Sequence, residues 1–136
     1  MNVAPSAIGR TVRLRADHRQ AIARVTDALK TEGFGVLTTI DVRETLKQKL
    51  NVEFRPYTIL GACNPPLAYR ALSVVPAVGL LLPCNVTVSE VEPGVNEVSL
   101  VDPVAMLGVI GAADLRPIAE EARARLDRVA ALLEGE

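Results

Sequence analysis

Two cysteines, Cys63 and Cys84, each stand directly before an asparagine, in Cys63-Asn64-Pro65 and Cys84-Asn85. A thiol can act as a nucleophile, a redox centre, a soft-metal ligand or a small hydrophobe, and its surroundings decide which. Cys63 precedes a helix start, with Asn64 as N-cap and Pro65 at the first helical position. The dipole and unpaired N–H groups of a helix N-terminus activate thiols. Cys63 is therefore the candidate catalytic residue of a thiol-dependent redox or transfer enzyme. Against that, no histidine lies near it in sequence and the two cysteines do not form a CxxC pair. Two thiolates with Met106 would suit a soft ion such as Cu(I) or Zn(II), which makes Cys63 and Cys84 the candidate metal ligands. A structural zinc site usually has four ligands in close-spaced pairs, and only two cysteines are present. The plainest reading is packing: small Cys and Gly61 allow helix and sheet to approach, Asn64 and Asn85 cap backbone, and Asp102-Pro103 ends a strand.

Whether these residues meet depends on the elements that carry them. Tyr57 to Cys63 is a mostly apolar run, as expected of a central strand. A helix follows from Asn64-Pro65 to about Val75, where Pro76 disfavours helical geometry. Gly79 to Cys84 leads into a strand with Val86, Val88 and Val91 set against Thr87 and Ser89. Glu92-Pro93-Gly94-Val95 is a turn, and Glu97 to Asp102 returns as the partner strand. If the strands after Pro56 and Pro83 are antiparallel neighbours, Cys63 closes one where Cys84 opens the other. Hairpin register sets Cys84 opposite Asp102 or Pro103, with Met106 just beyond. The candidate ligand site at that end of the sheet is Cys63, Asn64, Pro65, Cys84, Asn85, Asp102 and Met106.

The rest of the chain supplies a frame. Ala7 to Arg15 alternates as a strand. Asp17 and Gln20 have capping-box spacing before a helix carrying Ile22, Val25 and Leu29, and Gly33 ends it. Phe34 to Ile40 is a second strand. Asp41 and Glu44 open a short helix to about Leu50, with Val42 and Leu46 on one face. From near Asp114, with Pro117 in the first turn, Leu115, Ile118, Ala122, Leu126, Val129 and Leu133 form one apolar stripe. The chain, residues 1–136, reads as a single α+β domain with one mostly antiparallel sheet and its two main helices on one face.

Fifteen basic residues against sixteen acidic ones give no electrostatic grip on nucleic acid and no polybasic membrane anchor. Phe34, Phe54, Tyr57 and Tyr69 are too few for a base-stacking surface. No apolar stretch, Ala77 to Leu82 included, approaches the roughly 20 residues that span a bilayer. Met1 to Arg10 lacks the pattern of a secretory leader, so a cytoplasmic location is expected. No P-loop, GxGxxG after a strand, HExxH or GxSxG occurs, and the cofactor is left unassigned. The lone His18 lies far along the chain from the cysteines and reads as a surface residue.

Four segments carry a resemblance: Gly33-Phe34-Gly35-Val36, Ile59-Leu60-Gly61-Ala62-Cys63-Asn64-Pro65, Leu80-Leu81-Leu82-Pro83-Cys84-Asn85-Val86 and Asp102-Pro103-Val104-Ala105-Met106. Over about Gly9 to Leu133 the chain resembles the family called domain of unknown function 302. That resemblance implies a TATA-binding-protein-like β-α-β4-α fold with two short helical insertions, and often a homodimer. It implies no reaction. A sheet covered by helices on one side also leaves a face for a second copy to cover. The expected function is a module binding a small molecule or soft metal ion. A thiol enzyme and a purely structural, dimeric interaction domain are the alternatives.

Overall fold

Alternating apolar residues set one face of a sheet toward two amphipathic helices, and the chain order follows from that. The computed structural model describes residues 3–5 and 7–135, with the backbone alone for 3–5. The elements are β1 (Val3–Pro5), β2 (Gly9–Arg15), α1 (His18–Lys30), β3 (Gly35–Asp41), α2 (Val42–Leu50), β4 (Tyr57–Cys63), α3 (Pro65–Val74), β5 (Cys84–Glu92), β6 (Val95–Val101), α4 (Pro103–Gly108) and α5 (Arg116–Glu134). Short 3-10 turns at Pro76–Leu81 and Ala113–Leu115 precede β5 and α5. The expectation for the N-terminal stretch falls partly on residues 1, 2 and 6, outside the described set.

The strands form one sheet in the order β1-β2-β6-β5-β4-β3, every neighbouring pair antiparallel. Val12, Leu14, Leu60, Val86, Val88, Val98 and Leu100 face α1 and the C-terminal half of α5. Ala21, Val25 and Leu29 of α1 and Leu126, Val129 and Leu133 of α5 complete that core. The expected α+β architecture, with the main helices on one face, is present.

Several details differ from the sequence reading. β1 is an added edge strand, too short to stand out by pattern. α4 occupies residues expected to lie beyond the last strand. Residues 76–81 coil as a 3-10 turn, and β5 begins at Cys84 as expected. A register shift between Glu90 and Glu92 leaves Val91 exposed. α2 buries none of its residues fully; Val42 and Leu46 are half-buried. On the sheet face opposite the main helices, β2 and β6 carry polar pairs, while β3 and β4 carry the cross-strand pair of Ile40 and Ile59. Between β2 and β6, Thr11 bonds Ser99 at 2.8 Å and Arg13 pairs with Glu97 at 3.0 Å, a pattern that water satisfies.

A second apolar cluster lies beside the first. α5 spans both, and its N-terminal Ile118, Ala119 and Ala122 pack with Leu67 and Ala71 of α3, Val78, and Leu107 of α4. The candidate site forms where this cluster meets the end of the sheet.

Candidate functional site

The site begins with local chain chemistry around Asn64. Its Oδ1 accepts from Leu67 N at 3.3 Å, which caps α3 as the Asn-Pro pair predicts. Its Nδ2 donates to the Glu32 carbonyl at 3.2 Å. Gly33 sits beside that contact at φ +83°, and a Cβ there would come within 2.9 Å of Asn64 Nδ2. The Gly33-Phe34-Gly35 and Cys63-Asn64 segments are thus neighbours, and Gly35 pairs with Cys63 in the sheet.

The register sets Ala62 opposite Cys84, with both side chains on the helix side. Cys63, one residue on, turns to the other side of β4. Both residues still reach the same rim, because β4 ends there and β5 starts there. They line one cavity of about 300 Å³. Its other walls are Phe34, Leu37 of β3, Asn64, Leu67, Ala68, Ala71 and Leu72 of α3, Leu82, Pro83, Pro103 and Leu107 of α4, and Ile118 and Ala122 of α5. Gly61 serves a different contact from the one expected. A Cβ there would meet Thr38 Oγ1 and, at 2.8 Å, Pro83 Cγ, so it lets β3 and the β5 entry close in rather than a helix.

Of the seven expected site residues, the cavity gathers Cys63, Asn64 and Cys84. Pro65 and Asn85 are exposed and off the cavity wall. The hairpin register, continued from Val86↔Leu100, sets Cys84 level with Asp102. The Asp102 carboxylate nevertheless turns away: it accepts from Val104 N at 2.9 Å, capping α4, and pairs with Arg123 at 3.4 Å. Met106 is half-buried against the second apolar cluster and does not border the cavity. Sequence reasoning missed the aliphatic walls from α4 and α5. Their one signal was the Asp102-Pro103 pair, a helix start of the same kind as Asn64-Pro65.

Burial, then the neighbouring Cys63, pushes the Cys84 thiol up to about 11. At neutral pH it is a protonated, uncharged wall group. Among the described residues no group of three His, Cys, Asp or Glu is placed to hold a metal ion. Cys63 and Cys84 share the cavity wall, while Met106 stands off it.

His18 is not the plain surface residue expected. It is half-buried, with Nδ1 2.8 Å from Asn96 Oδ1 and Nε2 2.8 Å from Thr58 Oγ1. Asn96 Nδ2 donates to the Ala16 carbonyl at 2.9 Å, which fixes Oδ1 as acceptor. In the neutral ring Nδ1–H donates to it and Nε2 accepts from Thr58. Thr58 is the second residue of β4 and Cys63 its last. A step of five positions along a strand covers roughly 16 Å. His18 is a structural bridge and too far away to serve Cys63 as a base.

Charged side chains tie the elements behind the cavity. Arg70 of α3 reaches Glu121 of α5 at 3.2 Å, and Arg125 bonds both Glu121 and the Glu32 carbonyl at 3.2 Å. Arg70, then Arg125, holds the Glu121 carboxyl below its usual range. Arg128 does the same for Glu32.

Residues 10–133 match the family model described as domain of unknown function DUF302. The chain is also similar to a solved structure, the uncharacterized conserved protein DUF302 from Bacillus stearothermophilus. The two are 32% identical over 92% of this chain and 97% of that one, with a TM-score of 0.83. No curated protein matches. With nearly its whole length matched by the model and by that structure, the chain belongs to the DUF302 family, whose function is unknown.

Proposed function

We propose that this chain is a small-molecule-binding module rather than an enzyme. One observation carries the reading: the chain's two Cys-Asn segments end at a common cavity whose lining is almost wholly apolar. About 300 Å³ lies at the low end of ligand-site volumes. Catalysis has less support. The Cys84 thiol is held protonated, and His18 is engaged at the far end of β4. Two free thiols suit a reducing cytoplasm.

Native mass spectrometry of the protein taken from cells tests the reading. A retained small molecule is expected, and it should be lost from Ala71→Phe, which fills the cavity from α3. Repeated recovery of the bare chain mass would count against binding.

A second reading, a dimeric interaction domain, is favoured by exposed apolar side chains on and beside the β3 edge. Leu37 is 68% exposed, Ile40 48% and Leu50 65%. β3 ends the sheet, so its outer backbone groups are open to a second copy. Light scattering behind size exclusion decides this. Twice the chain mass, falling to the chain mass in Ile40→Lys, is expected; a monomer at high concentration refutes it.

A further inference from the structure

The cavity's walls also restrict what can occupy it, and the inference rests on the binding reading above. We propose that its ligand is a single aliphatic chain with one polar end, the chain entering the cavity and the polar end staying in solvent.

Polarity carries the first step. Asn64 is the only lining residue with a polar side chain other than the two thiols. Its Oδ1 already accepts from Leu67 N and its Nδ2 already donates to the Glu32 carbonyl, which leaves at most the second amide N–H as a donor. The Cys84 thiol is buried and uncharged at neutral pH. A hydroxyl, amide or carboxylate brought inside would therefore give up its water for at most that single N–H and the weakly bonding thiols, which is costly.

Shape and wall chemistry carry the second step. Phe34 is the one aromatic in the lining and is itself buried, so there is no stacking wall for a flat ring. The other walls are Leu, Ala, Ile and Pro, which suit a flexible aliphatic chain. At the mouth, Leu37 and Leu72 line the cavity while remaining 68% and 42% exposed. They extend the apolar path outward and give a chain longer than the cavity somewhere to lie. Leu72 also abuts the Gly79 turn, beside the 88% exposed Leu80.

Competition against N-dansyl-n-octylamine, whose fluorophore sits on the polar end of a straight alkyl chain, tests this on the intact protein. The chain has no tryptophan, so the probe's fluorescence is read on a dark background. Straight-chain alkanols should displace the probe with affinity rising about fourfold per added methylene, until the cavity is full. An α,ω-diol of the same length must bury one hydroxyl or stay outside, and should compete at least about tenfold more weakly. Ala71→Phe should abolish probe binding, and the milder Ala68→Leu should shorten the longest alkanol accepted. If diols match alkanols, or chain length has no effect while the probe still binds, the ligand class is wrong and the binding reading stands. If the probe does not bind the wild-type protein and alkanols give no heat of binding by titration calorimetry, both fall.

Discussion

Gly33→Ala injures the end of α1 in two separable ways, and the contact with Asn64 makes the second measurable. The first is backbone strain: a residue with a Cβ at φ +83° costs about 1–2 kcal/mol. The second is contact. The new Cβ, 2.9 Å from Asn64 Nδ2, forces that amide away and breaks its bond to the Glu32 carbonyl, a further loss of about 1 kcal/mol. Asn64→Ala loses the same bond and also the cap on Leu67 N, about 2 kcal/mol together. The Glu32 carbonyl keeps Arg125 as donor, so no additional orphan penalty arises. The single changes count one bond twice. The double variant should therefore be about 1 kcal/mol more stable than their sum. Urea unfolding followed by far-UV circular dichroism, with m unchanged across the set, measures this. Additivity within about 0.5 kcal/mol would show that Gly33 and Asn64 do not share a contact, and the account of why these two segments belong together would fail.

Two further outcomes follow from buried polar groups. Asn96→Ala leaves the Ala16 carbonyl and the His18 ring without their buried partner, and should cost about 3 kcal/mol in the same unfolding assay; a loss under about 1 kcal/mol would mean that water replaces the amide. The Cys84 thiol, raised to about 11 from an ordinary 9 by burial, keeps its proton when the unfolded chain loses it. Its contribution is whole below pH 9 and disappears as pH climbs from 9 to 11. The alkaline fall in stability should be shallower in Cys84→Ala, and iodoacetamide at pH 8 should modify Cys63 well before Cys84. Equal labelling rates, or parallel alkaline limbs, would contradict the burial.

The frame was legible because each element carries its own signal. Asp17, Asp41 and Asn64 accept from the backbone N–H three residues on, as their spacing predicts. Val12 with Leu14 and Val98 with Leu100 alternate because one side of their strands is buried. Other features had no such mark. β1 is three residues paired with β2, and the shift at Val91 depends on pairing, since period alone cannot announce an extra residue. α2 looked amphipathic but finds only partial cover, so its pattern alone overstated its burial.

The candidate site was half legible for a related reason. Cys63, Asn64 and Cys84 stood out by residue type, and strand order did bring them to one rim. Asp102 and Met106 were drawn in by proximity along the hairpin, yet α4 turns Asp102 into a cap and Met106 into packing. That six-residue helix also delivers Pro103 and Leu107, and α5 delivers Ile118 and Ala122, as the far wall. Aliphatic side chains from remote segments carry no chemical flag, so a cavity made of them cannot be seen until the helices are placed. The scarcity of polar groups inside follows from the same geometry. Asn64 uses its Oδ1 and one N–H to join α3 to the end of α1, and most of what remains for a ligand is surface that excludes water. Residue type located the rim of the site, while its selectivity resides in the residues that sequence reading passes over.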